Sequence, residues 1–127
     1  MKLFTVRQKQ IEAFEEDRLL TSMYEAMFAS WPDECSALGR SGVQDRIRAG
    51  IVKAKEYAIR EQENVRRFIH LIFLLNREDF DTAPETEWAG KMLRWPDADE
   101  FLRLAALEKR AQIEMTKKYL NPETPEA

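Results

Sequence analysis

The sequence predicts an all-α fold, a single-domain bundle of about five helices over residues 1–120 with a frayed tail at 121–127. Three observations lead there. Apolar residues recur at intervals of three and four along most of the chain. Four Gly and five Pro in 127 residues are few for a β-rich or disordered protein. No segment shows the two-residue alternation of a half-buried strand. A chain of this length withdraws roughly 65–70% of its unfolded surface from water, enough for one core without staples.

The first helix is expected from about Val6 to Ser30, opened by a capping box in which Thr5 and Gln8 satisfy each other's free backbone donors. Val6, Ala13, Leu20 and Met27 recur every seven residues, and Met23, Tyr24 and Phe28 widen the stripe. Trp31-Pro32 stops it, because proline disfavours helical geometry in the residue before it. A short turn, DECSAL, then closes at Gly39. Ser41 and Gln44 suggest a second capping box, before a helix whose buried face is Val43, Ile47, Gly50, Ile51, Ala54 and Tyr57.

Between Ala58 and Glu61 the apolar phase changes, and a third helix with Val65, Phe68, Ile69, Ile72, Phe73 and Leu75 reaches Asn76. Its HLIFLL half is apolar nearly all round and must be central. Pro84 suits a first helical turn, so a short helix is expected over Glu85 to Arg94. After Trp95-Pro96, Asp97 and Glu100 resemble another cap. The fifth helix then runs to about Leu120 with Phe101, Leu104, Ala105, Leu107, Ala111 and Met115 inward.

The net charge of -3 and pI near 5.3 provide no global basic field for nucleic acid or an anionic membrane. Charge is segmented, however. Residues 40–68 hold eight Lys/Arg against four acids, and residues 76–101 hold three against eight. Cys35 is the only cysteine, which excludes an internal disulfide and a thiolate metal cluster and points to a reducing cytoplasm. The first twenty residues lack the apolar core of a secretory signal. The most apolar run, Phe68 to Leu75, is far shorter than the ~20 residues of a membrane span.

The stretch NREDFDTAPETEWAG, residues 76–90, places five carboxylates among Phe80 and Trp88. A calcium loop starting at Asp79 would need a fifth-position ligand, a sixth-position glycine and a twelfth-position glutamate, where the chain has Ala83, Pro84 and Gly90. No metal or cofactor is expected. Paired-carboxylate catalysis stays formally open, but five acids do not identify a pair. The plain reading has Glu78 and Asp79 solvated and Asp81 or Thr82 capping the next helix. His70, the only histidine, reads as a hydrogen-bonded core or boundary residue, and Cys35, after Asp33-Glu34, as an inert thiol. No nucleophile, base and stabiliser assemble, so no enzyme is expected.

The basic helices over residues 42–68 raise a nucleic-acid-binding regulator, although Asp45, Glu56, Glu61 and Glu63 interrupt any stripe of one sign. Trp31, Trp88 and Trp95 sit at helix ends, where tryptophan is either the lid of a core or an interface anchor. A binding module is therefore expected, with Phe80, Asp81 and Trp88 as a contact loop and Arg46, Lys53 and Arg66 as a second surface.

The ordered segments FTVRQKQIEAF, WPDECSALG, VQDRIRAGIVKAKEYAI, ENVRRFIHLIFLLNREDFD and EWAGKML, spread over about residues 4–95, resemble a family of small helical proteins encoded beside bacterial type VI secretion effectors. The family tends to carry glycine where this chain has Ala58 and Asn76, so those two turns are expected to differ. The resemblance implies a cytoplasmic accessory or co-adaptor that binds a secretion effector, or its adaptor, before loading onto the spike. The alternative among genes so placed is an immunity protein that blocks a toxin directly. Neither role implies a small-molecule substrate.

Overall fold

A computed structural model describes residues 2–120, with side chains from residue 9 onward; the expected frayed tail at 121–127 lies outside the described residues. The described chain is all-α: α1 (Lys2–Ser30), α2 (Pro32–Glu56), α3 (Gln62–Leu75), a 3-10 turn (Pro84–Thr86), α4 (Glu87–Leu93) and α5 (Glu100–Leu120). It resolves into two compact units, residues 1–49 and 50–127, with α2 running across the boundary.

In the first unit α1 is already helical at Lys2, so Thr5 lies within the helix rather than capping it. Among the described side chains of α1, Leu19, Met23 and Met27 are buried at four-residue spacing, while residues 9–18 are exposed on every side, Ile11 and Phe14 included. The Trp-Pro pair ends α1 as expected, but DECSAL is not a turn. Pro32 occupies a first-turn position where its missing N–H costs nothing. Asp33 and Glu34 favour the positive helix end, and the Cys35 N–H closes the turn on the Trp31 carbonyl at 3.0 Å. The break expected at Gly39 is a kink within α2, where the Gly39 φ of 76° and ψ of 168° belong to a region that is essentially glycine's alone. Arg40 lies over the Tyr24 ring at 5.6 Å, linking α1 to α2.

The second unit is built around α3, which buries Val65, Phe68, Ile69, Leu71, Ile72 and Phe73, the central position its composition predicts. α5 packs against it with Leu104, Leu107 and Ala111 on its inner face, and α4 packs in turn on α5; these three residues and Leu93 of α4 are all essentially inaccessible. Phe101, expected inward, is 59% exposed, with its ring under the Arg67 guanidinium at 4.9 Å. His70 is also exposed rather than core or boundary. It occupies the one solvent-facing position between Ile69 and Leu71, both buried.

The two helix ends expected to differ for lack of glycine keep the left-handed turn. Ala58 and Asn76 have φ of 59° and 54°. At the first, the Ala58 and Ile59 N–H groups return to the Lys55 and Ala54 carbonyls; at the second, Asn76 and Arg77 return to Phe73 and Ile72. Both are Schellman closures, in which the turn satisfies carbonyls that the helix end leaves open. Ile59, just past the first, is buried and anchors it.

The caps also differ from the sequence pattern. Asp99, not Asp97, caps α5, its carboxylate accepting the Leu102 N–H at 2.8 Å. Asp97 instead takes a left-handed φ of 67° in the preceding turn. Glu100 turns away from its own helix to the start of α3. There it accepts the Arg60 and Glu61 N–H groups at 3.0 and 2.9 Å and the Asn64 amide at 2.7 Å. A residue 36 to 40 positions away thus does for α3 what a local glutamate does in a capping box.

Candidate docking surface on the last helix

The acidic stretch that dominates the sequence folds inward. Phe80 has no exposed surface and packs on Phe68 at 5.5 Å between ring centres. Asp81 is 5% exposed, and it accepts hydrogen bonds from Lys53 Nζ at 2.5 Å and Tyr57 Oη at 2.7 Å. Lys53 donates a second bond to the Glu78 carbonyl at 2.9 Å, and Arg94 donates to Tyr57 Oη at 3.2 Å. Neither Phe80 nor Asp81 is therefore a surface contact, and neither Asp81 nor Thr82 caps the following turn. Ala83 takes that position without a side-chain bond, and Pro84 begins the 3-10 turn where a helix from Glu85 was expected.

The physical reason lies on both sides of the pair. A phenylalanine flanked by acids still gains about 1.5–3 kcal/mol from full burial. The carboxylate drawn in beside it is tolerable because Lys53 and Tyr57 satisfy it. Burial alone would raise the Asp81 carboxyl above its ordinary value, but the Lys53 and Tyr57 hydrogen bonds outweigh it and hold the group below that value. The Tyr57 hydroxyl is pushed up to about 12, first by burial and then by Asp81.

Gly90 allows the loop to lie this close to α4. A Cβ there would stand 2.4 Å from the Asp81 carbonyl oxygen and 2.5 Å from an Arg94 nitrogen. Further along, buried Arg103 binds three turns together, donating to the Tyr57, Leu93 and Ala98 carbonyls at 2.8, 2.9 and 3.2 Å. Among the described residues no buried side-chain nitrogen or oxygen lacks a partner.

The second surface expected from Arg46, Lys53 and Arg66 is not presented as a patch. Arg46 is 8% exposed, Lys53 is committed to Asp81, and Arg66 is half-buried. Arg48 and Arg67 pair with Asp45 and Glu108, the latter through two bonds at 2.9 and 2.7 Å. Of these pairs, Lys53–Asp81 joins the basic segment to the acidic one, while the other two are satisfied within or beyond those segments. Cys35 is fully buried, and burial, helped by Glu34, raises its thiol, consistent with the inert thiol expected.

What the second unit does present is apolar. Trp95 is 54% exposed at the end of α4, and with Pro96, Ala98, Leu102, Ala105 and the Lys109 stem it lines an open groove of about 590 Å³. The same side of α5 extends past the groove as an exposed helix face. Leu102, Ala106, Lys109, Ile113, Thr116 and Leu120 succeed one another at intervals of four and three, the spacing of a helix-pairing seam, on the side opposite Leu104, Leu107 and Ala111. Leu102, Ile113 and Leu120 are 55%, 44% and 68% exposed. Trp88 is half-buried under Arg110, 5.3 Å from its ring, and lines a separate groove of about 860 Å³ with Arg77, Glu85, Met115 and Lys118. Of the predicted contact loop, Trp88 alone remains available.

The sequence singled out Trp95 as one of three candidate anchors but did not include α5 in a binding surface. The signal was there: Leu102, Ile113 and Leu120 fall on the side of α5 away from its buried stripe, and one bundle can bury only one side. Among the described residues no helix is long and apolar enough to cross a membrane, and no group of three or more His, Cys, Asp or Glu side chains is placed to hold a metal. Compared with protein-family models, with curated proteins and with solved structures, the chain matches none.

Proposed function

We propose that the protein is a non-catalytic interaction module, a cytoplasmic accessory of the co-adaptor kind that binds a type VI secretion effector or its adaptor before loading. The observation that carries this reading is the exposed apolar face from Trp95 along α5. Exposed contiguous apolar surface of this sort marks interaction sites on otherwise well-packed proteins, and tryptophan is prominent among their energetic anchors. The polar groups best placed for chemistry already have structural employment: Asp81 with Lys53 and Tyr57, Glu100 on α3, Arg103 on three carbonyls. The type VI assignment itself rests on the sequence resemblance.

Deletion of the gene in its native strain tests the role. An accessory leaves the strain resistant to its siblings and stops secretion of one effector. Sensitivity to sibling cells, with secretion intact, would instead make it an immunity protein and overturn the proposal.

A further inference from the structure

We infer that the outer face of α5 receives an amphipathic helix from a partner, one whose apolar seam is flanked by carboxylates where it passes residues 109–117. The inference rests on the reading of the chain as an interaction module and names the chemistry of its partner. The seam from Leu102 to Leu120 spans about 27 Å at 1.5 Å per residue, the length of five turns of a straight helix. A stripe at intervals of four and three along a straight helix is the surface with which a second helix interdigitates.

Charge selects among helices. Lys109 lies in the seam itself, and Arg110 and Lys117 flank it on one side, both reaching the single carboxylate of Glu114 at 2.7 and 3.8 Å. Three cations against one acid leave this half of the face positive. Asp97 and Asp99 lie only at its amino-terminal end, where Asp99 is engaged with the Leu102 N–H. Acids on the incoming helix opposite residues 109–117 would meet Lys109 and the net positive charge beside it, and basic residues there would be repelled.

The same distribution disfavours a second copy of α5. A two-fold antiparallel pairing of the seam has its midpoint at residue 111, which would bring Lys109 and Arg110 of both copies together. The expected occupant is therefore a different, acidic helix.

Two synthetic three-heptad peptides test this, both with Leu at the a and d positions, one with Glu and the other with Lys at e and g. Titrated against the full chain by fluorescence anisotropy, the Glu peptide is expected to bind at least about ten-fold more tightly than the Lys peptide, with the preference shrinking as salt is raised. The double variant Leu102→Asp, Ile113→Asp alters only exposed positions. It should keep the wild-type circular dichroism and lose at least about ten-fold in affinity for the Glu peptide.

Equal binding of the two peptides, no binding of the Glu peptide at about 1 mM, or binding that the double variant leaves intact would overturn the inference. So would a dimer of the chain alone, seen by sedimentation, that Ile113→Asp dissolves, since a second copy would then own the face. If the peptides fail while a native effector or adaptor still co-purifies with the chain, the face is wrong and the module stands.

Discussion

Asp81 shows how far a single residue's surroundings can reverse its apparent meaning. In the sequence it is one of five acids awaiting a cation; in the structure the cation is Lys53, 28 residues earlier, and Tyr57 supplies the second bond. The consequence is a pH dependence with a fixed sign. The folded-state value of Asp81 lies below the unfolded one, so its contribution is complete above about pH 4 and is lost as the pH falls through the folded value. Tyr57 acts at the other end. Its folded value is raised to about 12, so its contribution is intact below its ordinary 10.0 and disappears as the pH rises between the two. Urea unfolding at a series of pH values should show both arms. Asp81→Asn should flatten the acidic arm and cost about 1–3 kcal/mol at neutral pH, leaving Lys53 without its charge partner; an unchanged acid arm would show that Asp81 is not paired in solution.

Two further residues make sharp predictions of opposite sign. Ala58 sits at φ 59°, where a Cβ is penalised, so Ala58→Gly is expected to stabilise the protein by about 0.5–1 kcal/mol despite the greater freedom it gives the unfolded chain. Gly90→Ala forces a Cβ against the Asp81 carbonyl and should cost about 2–4 kcal/mol, read as a drop in the denaturation midpoint. A tolerated Gly90→Ala would mean that the loop does not lie on α4.

At the scale of elements, helix identity was legible and helix ending was partly so. The periodicity of α3 and α5 follows directly from their apolar residues, and Trp31-Pro32 and Pro84 mark boundaries by their own geometry. What a sequence window does not contain is a partner from another element. The Glu100 carboxylate looked like half of a local cap because a capping box is written in adjacent residues, whereas its acceptors' work is done at α3. Burial would raise its value, but the Asn64, Arg60 and Glu61 donors hold it below the ordinary glutamate range. Glu100→Gln should therefore weaken protection of the first turn of α3 in hydrogen exchange, and leave the first turn of α5, capped by Asp99, as protected as before. Equal loss in both helices would contradict a long-range cap. Phe80 went astray for a related reason: acids on either side disguise a core residue when the core partner, Phe68, is twelve residues back.

For the whole molecule, the all-α class was legible because it follows from composition and period, which are properties of the chain alone. The candidate site was less so. The predicted contacts were chosen for their charge, and in a folded chain of nearly balanced charge, Lys53 and Asp81 or Arg67 and Glu108 find one another first. What remains uncompensated on the second unit is apolar area on α5 and around Trp95, and that remainder is where a partner gains most by binding. The most direct measurement is the mass of the complex retained by the tagged chain from a strain expressing its neighbouring genes, wild type beside Leu102→Asp, Ile113→Asp. The account predicts a stoichiometric complex of wild type with an effector or adaptor, absent for the equally folded variant. A wild-type chain that purifies alone, or a complex that the variant retains in full, would contradict it.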